Sequence, residues 1–233
     1  MEITTAYLWE QGECRNNEDS LVLLQAQTRR GTVLAAAVCD GIGGLLEGET
    51  ASGYMAEMTA VWFHKELLPM AEKQKGHKSL YRSAVKLLYE TDEKLKEYGR
   101  KKRIRLGTTV TLFFMLGNRF YLMHIGDCRI YQIRKKVLRL TEDDGEGRFL
   151  HKCIGAGKWE KPQWKYGRLK KETGFLLCSD GFYRKLREEE IAACAAPFCG
   201  QEGFLFKRLA EAGERIKKRK MEDNASAVSI IVR

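Results

Sequence analysis

Apolar and polar positions follow two rhythms along the chain. Asp19–Thr28 alternates at period two, and Thr32–Cys39 is a β-branched, alanine-rich run. Two strands are expected there, the second buried on both faces. The rhythm then shifts to three and four. Ala51, Tyr54, Met55, Met58, Val61 and Trp62 mark one face of a helix that Pro69 is expected to end, and Leu80, Ala84, Leu87, Leu88, Thr91, Leu95 and Tyr98 mark a second. Period two returns in Thr108–Met115, Arg119–Ile125 and Arg129–Ile133, with Gly117-Asn118 as a hairpin turn. These read as a meander closed by a short strand, Val137–Leu140. Asp143–Lys158 is rich in turn formers and reads as irregular. Gly174–Cys178 reads as a strand, Glu188–Ala196 and Glu202–Lys218 as helices, and Ala225–Val232 as a final strand. This order is not the strand–helix alternation of a doubly wound sheet. It indicates an α+β fold, with antiparallel sheets covered by helices.

Composition narrows the class. The 233 residues are 44% hydrophobic and 31% charged, with only 3 Pro and no repeat or low-complexity linker, so one folded domain over residues 1–233 is expected. A formal charge of +10 attracts anions without choosing among them. Met1–Glu10 has no basic stretch leading into an apolar run, and the longest apolar stretch, Val33–Cys39, is too short to span a bilayer. The 7 scattered Cys read as reduced thiols of a cytoplasmic protein, and Cys194 and Cys199 lack a second ligand pair for structural zinc.

Candidate chemistry lies in a recurring phrase: an apolar strand, then Asp, then Gly or Asn. Asp40, Asp127, Asp180 and Asp223 sit at strand ends or just before a strand, and Asp19 starts one after Asn17-Glu18. Any one Asp-Gly pair is an ordinary turn. Five acidic residues in similar settings are another matter. Carboxylates gathered at one sheet edge repel each other unless cations intervene, and oxygen-only donors suit magnesium or manganese.

These residues carry a family resemblance. Asn17-Glu18-Asp19, Val38-Cys39-Asp40-Gly41-Ile42-Gly43-Gly44 with Gly48-Glu49 and Ala51-Ser52, Gly107-Thr108-Thr109, Gly126-Asp127-Cys128-Arg129-Ile130-Tyr131, Leu140-Thr141, Ser179-Asp180-Gly181 and Asp223-Asn224 follow in order. Together they resemble the motifs of the type-2C metal-dependent protein serine/threonine phosphatases. Ile42 stands where animal members carry a His that bacterial members lack, which points to the bacterial-type branch. The resemblance implies a central sandwich of two antiparallel β-sheets flanked on both sides by antiparallel helix pairs, with a shortened flap at about 141–172. It implies hydrolysis of phosphoserine and phosphothreonine by a hydroxide shared between two divalent cations, Mn2+ or Mg2+. Asp40 would bridge the two. The Gly41 carbonyl would bind one, and Asp180 and Asp223 the other. Glu18 and Asp19 would act through bound water, and Asp127 would help hold a third, weaker cation. The implied partners are phosphorylated proteins, such as a partner Ser/Thr kinase and its targets, acted on by a monomer with no nucleic-acid or membrane partner.

Two departures matter. The family's phosphate-binding Arg, three residues before the Asn, is here Cys14. The neighbouring Arg15 is the candidate substitute, although in a strand it would face the opposite way. The flap is short, and Asp144 replaces its usual His. Both favour an alternative, a catalytically weak or inactive relative acting as a phosphoprotein-binding module. The retained Asp40, Gly41, Asp180 and Asp223 argue against it. A cysteine phosphatase would need Cys, five residues, then Arg. Cys128 to Arg134 and Cys178 to Arg184 match that spacing, but neither has the positive surroundings a thiolate needs. The basic runs Lys94–Arg105 and Arg215–Lys220 lie at helix ends and read as solvated faces. His64 and His124 read as packing or surface residues, and His151 could reach substrate from the flap.

Overall fold

The computed structural model describes residues 2–42, 45–146, 149–197 and 203–233. Strand β3 (Gly31–Asp40) shows how the layers form. Val33, Ala35, Ala37 and Cys39 pack among helical residues such as Met55, Leu67, Leu80 and Leu88. The alternate positions Leu34, Ala36 and Val38 pack with Phe113, Phe175, Leu177, Val228 and Ile230 between two sheets. Strict alternation therefore buries both faces of one strand in two different cores.

The first sheet has the order β10-β5-β4-β3-β2, from β2 (Asp19–Thr28), β3, β4 (Val110–Leu116), β5 (Arg119–Ile125) and β10 (Gln163–Arg168). The second has the order β1-β12-β11-β6-β7, from β1 (Ile3–Glu10), β6 (Arg129–Ile133), β7 (Val137–Arg139), β11 (Thr173–Cys178) and β12 (Ala225–Val232). All pairings are antiparallel. The outer face of the first sheet is covered by α1 (Gly48–Trp62), α2 (Leu68–Glu72) and α3 (His77–Lys102). The outer face of the second packs against α5 (Glu188–Cys194) and α6 (Phe204–Lys218). A small hairpin, β8 (Gly145–Glu146) with β9 (Phe149–Leu150), and a single turn, α4 (Asp180–Tyr183), complete the elements. The result is the expected sandwich with helices on both outer faces. Among the described residues, no helix is long and apolar enough to cross a membrane.

Two expectations are corrected, and two strands of the sandwich are unexpected. Arg119–Ile125 and Arg129–Ile133 are not neighbours in one meander, because the chain crosses between sheets at Gly126–Cys128. Gly126 has φ +115°, and a Cβ there would lie 2.5 Å from Thr109 Cβ. Only glycine makes that crossing. Pro69 does not end its helix. The chain passes through a π-helical turn, Phe63–Leu67, in which the Leu68 amide reaches back to the Phe63 carbonyl, and helix resumes with Pro69 in its first turn. A proline is tolerated there because its missing N–H has no helical partner to lose. Finally, β1 and β10 carry no clear apolar rhythm. Of β1 only Ala6 is fully buried, and β10 is a half-exposed edge, so pairing with β12 and β5 defines them. The expected helix start at Glu202, and Cys199, lie outside the described residues.

Close packing fixes the second sheet against its helices. A Cβ on Gly174 in β11 would stand 1.7 Å from the Ala195 carbonyl oxygen. Backbone cannot yield as a side chain can. Gly174→Ala is expected to cost about 3 kcal/mol. The check is a urea unfolding curve, where an unchanged midpoint would contradict this packing.

Candidate active site

Six acidic residues from five separate segments line one cavity of about 500 Å³: Glu18, Asp40, Asp127, Asp180, and the adjacent Glu222 and Asp223. Each is placed by a local device. Asp40 ends β3, and the Gly107-Thr108-Thr109 segment grips its backbone. The Asp40 amide donates to Thr109 Oγ1 at 3.0 Å, and Thr108 Oγ1 and the Thr109 amide donate to its carbonyl at 2.9 and 2.8 Å. The next residue must be glycine, since a Cβ on Gly41 would lie 2.5 Å from the Gly48 carbonyl oxygen. Asp127 sits in the inter-sheet crossing. Asp180 opens α4 where β11 ends.

Asn224 ties the remaining segments together. Its Oδ1 accepts the Glu18 amide at 2.8 Å, and its Nδ2 donates to the carbonyls of Gln11 and Asn16 at 2.7 and 3.1 Å. Asp223 Oδ1 accepts the Asn224 amide at 2.9 Å. Asn17 Oδ1 accepts the Asp19 amide at 3.0 Å, an Asx turn that starts β2. Asp19 itself stands behind the cavity wall. It is 1% exposed and accepts the Ser179 hydroxyl at 2.8 Å.

The electrostatics follow from crowding in low dielectric. Burial, then the charges of Asp19, Asp180, Asp127 and Asp223, push the Asp40 carboxyl well above the ordinary range. Burial, and then Asp180, raise Asp127 to about 6 against the pull of Arg184. Burial also raises Asp19, and burial with Glu49 and Asp223 raises Glu18. Such a set of hard oxygen donors, crowded in one cavity, suits Mg2+ or Mn2+. Among the described residues, no group of three or more His, Cys, Asp or Glu stands close enough to hold an ion as placed. At the cavity's edge, Arg184 Nη2 lies 3.2 Å from the Asp180 carboxylate and 3.6 Å from that of Asp127.

Arg184 and Lys185 are cations that line this cavity, and sequence reasoning missed both as site residues. Arg184 follows Asp180 by one helical turn, and that spacing was the available signal. Arg15 is placed differently. Residues 11–18 form an irregular loop, so strand parity does not apply, and Arg15 is exposed and outside the lining. Cys14 Sγ donates to the Glu222 carbonyl at 3.6 Å. Ile42 and Leu150 supply the apolar part of the wall. Asp144, in the flap, accepts the Gly126 amide at 3.2 Å and pairs with Lys152 at 2.9 Å, which fastens the flap to the crossing beside Asp127. His151 is exposed and outside the lining, while its neighbour Leu150 is in it. His124 is fully buried between Thr111 and the Gly126 carbonyl. Cys128 and Cys178 are fully buried, and burial pushes both thiols well above their ordinary range, so neither is a nucleophile.

Comparison with known proteins points one way. The family model described as protein phosphatase 2C matches residues 12–223. No curated protein matches the chain in sequence. Among solved structures, the S. agalactiae serine/threonine phosphatase is 19% identical with a TM-score of 0.83, covering 100% of both chains. The Mycobacterium tuberculosis serine/threonine phosphatase PstP/Ppp is 23% identical with a TM-score of 0.79, covering 99% of both. The PstP catalytic domain in complex with 2 manganese ions is 24% identical with a TM-score of 0.77, again covering 99% of both.

Proposed function

Because the chain belongs to the protein phosphatase 2C family of serine/threonine phosphoprotein phosphatases, we propose that it hydrolyses phosphoserine and phosphothreonine in proteins with two divalent cations, Mn2+ or Mg2+. The observation that carries this reading is the meeting of Glu18, Asp40, Asp127, Asp180 and Asp223 in one cavity. Asp40, the Gly41 carbonyl, Asp180 and Asp223 would hold the two cations. Glu18 and Asp19 would act through water, and Asp127 would help hold a third, weaker cation. When bound, such cations make hydroxide available near neutral pH and offset charge on the phosphoryl oxygens.

The chain's own groups do the rest. Ile42 and Leu150 exclude water from one side of the cavity. Ser179 holds Asp19 by its hydroxyl and accepts the Ser226 amide at 3.0 Å, which locks the base of the site to β12. Arg184 is a counter-ion to Asp180 and Asp127, the carboxylates a cation would take. Once they are engaged elsewhere, its guanidinium can turn to the substrate phosphate, the geometry at which arginine excels. Arg184 thereby supplies what the loop at Cys14 lacks. Arg184→Gln is expected to tighten Mn2+ binding severalfold, by removing an internal competitor, and to raise KM for a phosphopeptide about tenfold. Calorimetric titration and steady-state kinetics read the two. Equal weakening of both would assign Arg184 to cation positioning instead.

The reading is tested by turnover of p-nitrophenyl phosphate and a phosphothreonine peptide with Mn2+, with Mg2+ and after chelation. Cation-dependent hydrolysis of both supports it. No turnover with cation binding demonstrated would sink it and leave a phosphoprotein-binding relative. The substrates are phosphorylated proteins, a Ser/Thr kinase and its targets among them, acted on by one catalytic unit spanning residues 1–233 with a short flap.

A further inference from the structure

The basic run Lys94–Arg105 reads in the sequence as a solvated face, but the structure divides it. Lys94 and Lys101 pair with Glu97 along the outside of α3, at 3.2 and 2.9 Å. Arg100, Arg103 and Arg105 are exposed, and none forms an ion pair with a described residue. With Lys96 they line a cavity of about 430 Å³ between the end of α3 and the loop at Gly155–Gly157.

Three features make this a built anion site rather than a scatter of charge. The far wall is fixed from within. Asp92 is 1% exposed, pairs with Lys96 at 2.6 Å and accepts the Gly155 amide at 2.8 Å. That pair neutralises itself, so the three arginines give the cavity its net charge, well above the roughly half-unit negative end of the α3 dipole. The mouth is open. Gly157 has φ +80°, and a Cβ there would meet nothing within 4 Å. Lastly, no acidic and no aromatic residue is among the described residues lining it. Nothing there competes for the arginines, and nothing offers a base a stacking surface.

The cavity also shares a wall with the candidate active site. Leu106 lines it, and the adjacent Gly107 carbonyl accepts the amide of Ile42, which lines the carboxylate cavity, at 3.0 Å. The Leu46 amide donates to the Arg105 carbonyl at 3.2 Å. We infer that the Arg100–Arg103–Arg105 cavity is a second anion subsite. It takes an acidic or phosphorylated side chain of the substrate polypeptide, a few residues from the phosphoresidue being hydrolysed. This rests on the phosphatase reading and deepens it. A shallow, open, arginine-lined cavity suits a charged side chain carried on a flexible peptide. An enclosed small molecule would need more walls.

The test uses the full chain and the triple variant Arg100→Gln/Arg103→Gln/Arg105→Gln. All three positions are exposed, so the variant is expected to fold normally. Binding is read by fluorescence anisotropy of a labelled peptide rich in Asp and Glu and free of phosphate. Turnover is read on two phosphothreonine peptides, one with acidic and one with neutral flanks, and on p-nitrophenyl phosphate. The parent is expected to bind the acidic peptide and to prefer the acidic-flanked substrate about tenfold in kcat/KM, as three exposed ion pairs allow. The variant should lose both, with p-nitrophenyl phosphate turnover unchanged. Equal peptide binding by parent and variant would overturn the inference. So would tighter, arginine-dependent binding of inorganic pyrophosphate or a single-stranded oligonucleotide than of the peptide. No turnover by the parent, with arginine-dependent peptide binding intact, would sink the phosphatase reading and sustain the subsite.

Discussion

Asp40→Asn is expected to abolish cation-dependent turnover, by about a thousandfold or more, and at the same time to stabilise the cation-free protein. The two effects have one cause. Asp40 sits where the charges of Asp19, Asp180, Asp127 and Asp223 meet, and burial first, then those charges, raise its carboxyl well above the ordinary range. Folding takes this carboxyl from water, where it ionises freely, to a place where burial and like charges disfavour its anion, so its presence costs stability. The amide keeps shape and polarity and removes that cost. It also removes the anion that would be shared by both cations, and losing one such electrostatic element costs roughly a hundred- to a thousandfold in rate even where the rest remains. Thermal unfolding in chelator, thermal unfolding in Mn2+, and a p-nitrophenyl phosphate assay check all three parts. The variant should melt higher than the parent in chelator and gain less from Mn2+. Retained Mn2+-dependent turnover would remove Asp40 from the mechanism.

The second large effect is a stability that falls as pH rises, provided cations are withheld. Asp127 is raised to about 6 by burial and Asp180, and Asp19, Asp40 and Glu18 are raised too. Carboxyls raised on folding hold protons that the unfolded chain has released. Their stabilisation is complete below the unfolded value near 4 and is lost as pH climbs through the folded values. Asp127 alone accounts for roughly 3 kcal/mol between about pH 4 and pH 7, or about 6–12 °C in Tm for a chain of this size. Groups shifted the other way act outside this window. Glu190, held low by Arg219 and Arg187, contributes stability lost only when pH falls below the ordinary carboxylate range. Bound Mn2+ should reverse the trend, so its stabilising effect is expected to be larger at pH 7 than at pH 5. A melting temperature independent of pH in chelator would mean that the carboxylates are not crowded as described.

Local elements were legible wherever one side of the chain had a consistent neighbour. β2, β5, β6 and β12 begin and end where their apolar runs do, because each has at least one face against a core along its length. The motifs around Asp40, Asp127, Asp180 and Asp223 were legible as motifs for a related reason. A tight approach such as Gly41 against Gly48, or the Gly126 turn against Thr109, permits only glycine, and so leaves a mark in the sequence. The edge strands β1 and β10 left none. Half-exposed on both faces, they are strands because partners lie beside them.

The site divides along the same line. Chain order alone carried the acidic residues and the kind of chemistry they suit, since carboxylate followed by glycine at a strand end is a local arrangement of backbone and charge. Which cations serve that site was not local. Arg15 adjoins the first motif in sequence and lies on an exposed loop, whereas Arg184 reaches Asp127 only because the crossing at Gly126 sends β5 and β6 into different sheets. The same holds for Arg100, Arg103 and Arg105, which become a cavity only when Asp92 draws the Gly155 loop over the end of α3. The sequence by itself therefore determined the helices, the sandwich strands other than β1 and β10, and the carboxylate motifs, because those depend on neighbours a few residues away. The tertiary structure decided that Arg184, one helical turn from Asp180, also faces Asp127, and that the three arginines share a cavity, because contacts between distant segments depend on how the sheets close.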